Sequence, residues 1–221
     1  MNLVDFKEFI SYLAILSNIL QFLSGILVCK QYVIKKTTGE ATALPFIFGV
    51  LSCNLWLLYG LAKPDNIIVF VNTIGISMMI SYVIVFYIFT LKKSHVLREI
   101  LITVTTSLFI IGYFCVEDDN ELLLRRLGLS ACSITLLMIA APMSKLYYVI
   151  QTKCTDCLPF PMIVMSFFVS VFWFLYGVIE EDLYISVPNF IGGLLATAQL
   201  AVFVVIPSKS YKRLPSKSIL A

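Results

Sequence analysis

Charged residues are scarce in this chain of 221 residues: Asp, Glu, Lys and Arg make up 13% of it, whereas hydrophobic residues make up 60%. This balance lies far outside that of a soluble globular domain. A membrane-spanning helix needs about 20 apolar residues. Seven continuous apolar windows of that length occur, at roughly 9–28, 44–62, 67–90, 100–116, 127–149, 158–179 and 184–206. We predict an all-α integral membrane protein with seven transmembrane helices.

Residues that carry chemistry are also rare. Histidine occurs once, as His95, and no Ser-His, paired-Asp or H-E-x-x-H arrangement is present, so we predict that the chain is not an enzyme. The C-x-x-C sequence at Cys154 and Cys157 lacks the further ligands that a zinc site needs. We expect no metal, no cofactor and no disulfide framework.

The basic residues predict the orientation, because cytosolic loops accumulate Lys and Arg. If the first, third and fifth loops share one side with the C-terminal tail, that side carries twelve of the sixteen Lys and Arg residues but only three of the thirteen acidic residues. We therefore place the N-terminus outside or in a lumen and the C-terminus in the cytosol. Orientation alone explains the basic tail, so we expect no nucleic-acid partner. The seven spans themselves contact the lipid bilayer.

A short pattern occurs twice in the chain. "WLLYGLAKPDNIIVFVNTIG" at 56–75 is matched by "WFLYGVIEEDLYISVPNFIG" at 173–192, and L-P-F precedes each copy. Both copies place their Lys-bearing loop before L-P-F, so they point the same way in the membrane. Each copy contains three helices, an odd number, so a second copy fused directly to the first would be inverted in the membrane. One additional helix between the copies is therefore needed to give both the same orientation.

This argument predicts a 3+1+3 architecture of two parallel three-helix bundles joined by a linker helix. The predicted parts are a first repeat at 1–91, the linker helix with its loops at 92–126, a second repeat at 127–207 and a cytosolic tail at 208–221.

One Trp and one Asn stand in each copy: Trp56 with Asn72, and Trp173 with Asn189. Each lies seven residues from a charged loop residue, which puts all four at one depth, ~10 Å below the surface. An unpaired amide is costly in hydrocarbon, so the Asn side chains must face the bundle interior, each other, water or a ligand. Indole faces and amides together suit a sugar, which has apolar C–H faces and a rim of hydroxyls.

The paired motifs, together with "APMSKL" at 141–146 and "QTK" at 151–153, closely resemble the SWEET sugar transporters over roughly 200 residues. Gly25 makes the chain resemble animal members more than plant ones. The resemblance implies that Asn72, Asn189 and Trp173 line a sugar pocket. Trp56 adds a second indole, which narrows the pocket and favours a monosaccharide over a disaccharide.

The resemblance also implies two gates. Tyr59 and Asp182 match positions of an extracellular gate, with Lys63 as a charge partner. At the cytosolic opening, Pro45, Pro142 and Pro159 match three of four family prolines that act as hinges, and Gly25 stands where the fourth would fall.

Ion-coupled carriers need titratable groups inside the membrane, and no Asp, Glu or His lies in the middle of an apolar window. We therefore predict a bidirectional uniporter for a monosaccharide such as glucose that works by alternating access without a coupling ion. A proton-coupled amino-acid exporter of the PQ-loop type and a non-transporting seven-helix interaction protein are the alternatives. The sequence leaves open the plasma membrane or a Golgi or endosomal membrane, and also a homo-oligomer.

Overall fold

The computed structural model describes residues 3–152 and 160–206, apart from the side chains at 3, 141, 142, 144, 145 and 152. Pro159, Cys154 and Cys157 thus lie outside the described residues. The described chain forms seven α-helices: α1 (Leu3–Lys35), α2 (Leu44–Ala62), α3 (Asn66–Phe89), α4 (Lys93–Val116), α5 (Asn120–Thr152), α6 (Phe160–Ile179) and α7 (Leu183–Val205).

All seven helices are long and apolar enough to cross a membrane, as the sequence predicts. Helices are favoured there because each backbone N–H finds its acceptor within the same segment. The largest differences from the predicted windows are at α1 and α5, which run for 33 residues each. Their polar ends, such as Asp5 and Glu121, continue the helix beyond the apolar part that the windows detect.

The helices form two bundles of three with the same internal arrangement. In the first bundle α3 contacts both α1 and α2, and in the second α7 contacts both α5 and α6. Contacts between the bundles run from α1 to α6 and from α2 to α5, while α4 packs against α2. The predicted 3+1+3 architecture is therefore confirmed.

The hydrophobic core is divided unevenly between the two ends of the molecule. One end, which we call the N-terminal face, holds the start of α1 and the α2–α3 and α6–α7 loops. Near it, both bundles share one core, in which Leu58 and Ile68 belong to the same cluster as Leu127 and Ile185.

At the opposite face the core separates into two clusters. Ile47 and Phe86 of the first bundle pack with Val96 of α4, whereas Val149, Ile163 and Ala196 of the second bundle form a cluster of their own. The bundles are thus joined at the N-terminal face and separate at the opposite one.

Candidate functional site

A cavity of about 430 Å³ lies between the two bundles. Residues of α1, α2 and α3 line it on one side, and residues of α5, α6 and α7 line it on the other. Trp56, Asn72, Trp173 and Asn189 all contribute to this wall. The structure therefore brings the four residues of the predicted pocket together in one space.

The two Asn side chains are held in the same way. Asn72 Nδ2 donates to the carbonyl of Ile68 at 2.8 Å, and Asn189 Nδ2 donates to the carbonyl of Ile185 at 2.8 Å. Each bond uses one of the two N–H groups of the amide and fixes its position. The second N–H and the carbonyl oxygen of each amide can then bind a ligand in the cavity as donor and acceptor.

The two Trp side chains are fixed by partners from the other repeat. Trp56 Nε1 donates to Thr135 Oγ1 of α5 at 3.1 Å, and Trp173 Nε1 donates to Asn18 Oδ1 of α1 at 2.8 Å. Because these bonds occupy both indole N–H groups, the rings can offer a ligand their apolar faces but not a hydrogen bond. Such faces suit the C–H surface of a pyranose ring.

Sequence reasoning missed several polar residues of the wall. Besides Asn18 and Thr135, these include Gln21, whose Nε2 donates to Ser166 Oγ at 3.0 Å, and the buried Gln199. Their signal was a polar residue inside an apolar window, which is costly unless it finds a partner. Such residues often pair with a neighbouring helix, so only the structure shows which of them face the cavity.

The predicted extracellular gate residues meet at the N-terminal face. Tyr59 Oη donates to Asp182 Oδ2 at 2.7 Å, and Lys63 Nζ lies 2.6 Å from the same oxygen. Asp182 also accepts the backbone N–H groups of Tyr184 and Ile185 through Oδ1, so it caps α7 as well.

A second contact of the same kind lies beside it and was missed. Tyr176 Oη donates to Asp65 Oδ2 at 2.7 Å, and Asp65 caps α3 through Ile67 and Ile68. Tyr176 and Asp65 are the repeat counterparts of Tyr59 and Asp182, so the internal repeat could have revealed this pair. Each Tyr reaches the Asp of the other repeat, and the two crossed bonds join the bundles above the cavity.

The residues predicted as cytosolic hinges have different surroundings. Pro45 lines the cavity from the first turn of α2, where a missing N–H removes no intrahelical bond. It therefore lies at a helix start and not at a bend inside a helix. Pro142 lies on α5 with its side chain outside the described set, and Pro159 is outside the described residues.

Gly25 is explained by close packing. A Cβ atom there would collide with the ring of Tyr82, whose Oη donates to the carbonyl of Phe22 at 2.9 Å. Because α1 and α3 approach closely at this point, any larger residue, proline included, would have to displace the Tyr82 ring or move the two helices apart.

The charge of the cavity wall also limits what it can bind. No Asp, Glu, His, Lys or Arg side chain is among the described residues that line it. Its polar groups are amides and hydroxyls, and the remainder is aromatic, aliphatic or sulfur-containing. Such a wall fits a neutral ligand with many hydroxyl groups and an apolar face.

Comparisons with known proteins agree with this geometry. The chain matches the model of a family described as "Sugar efflux transporter for intercellular exchange" twice, at residues 8–94 and 125–211. It is 37% identical over 206 residues to the sugar transporter SWEET1 of Drosophila pseudoobscura pseudoobscura, covering 92% of this chain and 91% of the relative.

Two further relatives carry the same name. The SWEET1 protein of Caenorhabditis elegans is 34% identical over 212 residues, covering 96% of this chain and 70% of the relative. The human SWEET1 protein is 30% identical over 189 residues, covering 85% and 86%. The fold also matches a solved eukaryotic SWEET transporter with a TM-score of 0.81 at 22% identity, over 91% of this chain and 98% of the other.

Proposed function

This chain belongs to the SWEET family of sugar transporters, a family of transporters and not of enzymes, and from that premise we propose that it is a facilitative carrier of a monosaccharide such as glucose. The observation that carries the proposal is the cavity between the repeats, with its two indoles and two amides. Trp56 and Trp173 cover the apolar faces of the sugar, and Asn72 and Asn189 bind its hydroxyls.

The mechanism that we propose is alternating access without a coupling ion. The N-terminal face is held together by Tyr59–Asp182, Lys63–Asp182 and Tyr176–Asp65. When these bonds break, the N-terminal face opens, and the two hydrophobic clusters at the opposite face come together. Proton or ion coupling would need a titratable group near the sugar, and the described wall of the cavity offers no carboxylate or imidazole.

The protein is a multi-pass membrane protein. We propose further that the N-terminal face points outward or into a lumen and that the opposite face points to the cytosol, because of the Lys and Arg distribution. The gate of Tyr59, Asp182 and Lys63 is then extracellular or lumenal. Pro45, at the start of α2, then lies on the cytosolic side. We propose that the hinge positions there are Pro45, Pro142, Pro159 and Gly25.

The test is glucose counterflow in liposomes that contain the purified protein, with no pH or ion gradient. Wild type and the variants Asn72→Ala and Asn189→Ala are compared, with folding checked by gel filtration and circular dichroism. We expect counterflow in the wild type and a loss of at least about tenfold in each variant, since each loses hydrogen bonds to the sugar worth about 1.5 kcal/mol or more.

A matched control is Thr73→Ala, which removes a hydroxyl from the exposed side of α3 next to Asn72. This variant is expected to keep wild-type counterflow. Normal counterflow in both Asn variants would remove the amides from the site. No counterflow in folded wild type, with glucose and then with a panel of other monosaccharides, would contradict the proposed function.

A further inference from the structure

The loops at the N-terminal face differ in charge at one equivalent position. Lys63 and Glu180 each lie two residues before the capping aspartate of their repeat, Asp65 and Asp182. Lys63 neutralises Asp182 of the other repeat, at 2.6 Å. Glu180 cannot do the same for Asp65, because it adds a second negative charge near the Tyr176–Asp65 bond.

The positive charge near Asp65 and Glu180 comes from a different helix, α1. Lys7, in the first turns of α1, places its Nζ 2.6 Å from Glu180 Oε1 and also interacts electrostatically with Asp65. The Glu180 side chain is only 18% exposed, and the Lys7 side chain is 48% exposed. Lys7 thus pairs directly with Glu180 and offsets the charge of Asp65 from a longer distance, whereas Lys63 pairs directly with Asp182.

The pair also connects the two bundles. Lys7 belongs to α1 of the first repeat, and Glu180 directly follows α6 of the second. These two helices also meet deeper in the molecule, where Asn18 accepts from Trp173 and Gln21 donates to Ser166. A movement that separates the bundles at the N-terminal face must therefore break the Lys7–Glu180 pair together with the Tyr–Asp bonds.

We infer that Lys7 is a positioning residue of the transport cycle, whose ion pair with Glu180 holds the N-terminal face closed and sets how often that face opens. This inference rests on the proposed alternating-access function. A partly exposed ion pair contributes only modestly, so its loss shifts the balance between closed and open states without unfolding the protein. We expect the open fraction to rise by about twofold to fivefold when the pair is removed.

The test measures the opening directly and needs no sugar. Spin labels are attached to the variants Leu61→Cys and Val178→Cys, which are exposed and repeat-equivalent positions near the N-terminal face, after the six native cysteines are replaced by alanine. Pulsed electron–electron double resonance then gives the distance distribution across the face. Lys7→Met and Glu180→Gln are each expected to enlarge the long-distance population.

Two further variants separate an ion-pair effect from a packing effect. The charge-swapped double variant Lys7→Glu/Glu180→Lys and the conservative Lys7→Arg are both expected to restore the wild-type distribution. The matched control is Lys92→Met, which breaks the exposed Lys92–Glu40 pair at the opposite face and should leave the labelled distance unchanged.

Wild-type distributions in both Lys7→Met and Glu180→Gln would overturn the inference, and so would a shift that the charge swap fails to reverse. If Lys7→Met does not fold, Glu180→Gln removes the same pair from the other side and decides the question. Because the distance is measured without substrate, a negative result here is distinct from an absence of sugar transport.

Discussion

At the residue scale, the two tryptophans contribute in two ways to the same cavity. Their indole N–H groups bind Thr135 and Asn18, each in the other repeat, and their rings line the cavity. Each ring also packs edge-on against the tyrosine three residues later, Tyr59 or Tyr176. The ring that would contact the sugar is therefore in direct contact with the residue that joins the two bundles.

The size of the Trp56 ring should limit the size of the sugar. Replacement of Trp56 by Ser removes most of a side chain that buries about 150–250 Å². We expect the variant to accept disaccharides that the wild type excludes, while it loses affinity for a monosaccharide. Competition of unlabelled mono- and disaccharides against glucose counterflow measures this preference.

Thr135→Val is the matched control for that experiment. It removes the hydroxyl that holds the indole but keeps the ring and the approximate side-chain volume. We expect a weaker apparent affinity for glucose with the size preference unchanged. If Trp56→Ser shows wild-type selectivity, the second indole does not narrow the pocket.

At the element scale, two pairs of consecutive helices, α2 with α3 and α6 with α7, pack closely where a glycine follows the repeated tyrosine. At Gly177 an added Cβ would meet Ser186 Oγ at 2.6 Å and the Ser186 backbone nitrogen at 2.8 Å. At Gly60 it would meet the Ile68 side chain and the Val69 nitrogen at 2.9 and 3.1 Å. These contacts keep α6 against α7 and α2 against α3, and thus keep Asp182 and Asp65 within reach of the tyrosines.

Gly177→Ala should therefore destabilise the protein. The backbone nitrogen of Ser186 cannot rotate away, so α6 and α7 must separate, at a cost of about 1–3 kcal/mol. We expect a lower midpoint of thermal unfolding in detergent, followed by tryptophan fluorescence or circular dichroism. The same change at Gly112 of α4, where an added Cβ meets nothing within 4 Å, should be neutral or slightly stabilising. An equal loss in both variants would contradict the packing argument.

The helices and the repeat could be predicted because they depend on local properties of the sequence. Continuous apolar windows give the seven spans, and the odd number of helices per copy gives the linker α4. The polar ends of α1 and α5 were not predicted, because an apolar window detects only the part of a helix that lies in the hydrocarbon core of the membrane and not its full length. The partners of Trp56 and Trp173 were not predicted either, since the relative rotation of the two bundles decides which side chains meet across the cavity.

At the scale of the whole molecule, the two ends differ in how the bundles are joined. The shared core near the N-terminal face contains Ala14 and Tyr59 of one repeat together with Ala131 and Tyr176 of the other. The separate clusters at the opposite face contain residues of one repeat each, with α4 added to the first. We infer that the cavity in this conformation exchanges solutes through the opposite face.

Cys53 offers a test of that access, because it lies in the wall of the cavity. In a variant that keeps only this cysteine, a membrane-impermeant thiol reagent should react faster from the opposite face than from the N-terminal face. Excess glucose should slow the reaction. The measurement is the labelling rate in vesicles of the two orientations. A variant that keeps only Cys29, which is as buried as Cys53 but is not among the described residues that line the cavity, should show no protection by glucose. Faster labelling of Cys53 from the N-terminal face would contradict this assignment.

The composition of the cavity wall leads to a prediction for the energetics of the whole cycle. The described wall presents amides, hydroxyls and aromatic rings. The buried carboxylates of Asp65 and Asp182 are not part of this wall, because they belong to the Tyr–Asp contacts that join the bundles at the N-terminal face. Both accept hydrogen bonds from tyrosine hydroxyls and from backbone N–H groups at the N-terminal face. No proton is therefore expected to move with the sugar.

In liposomes loaded with equal glucose on both sides, an imposed pH gradient should produce no net sugar accumulation, and the counterflow rate should be the same with and without a protonophore. Accumulation of glucose that follows the direction of the gradient would show coupling and would contradict the uncoupled mechanism.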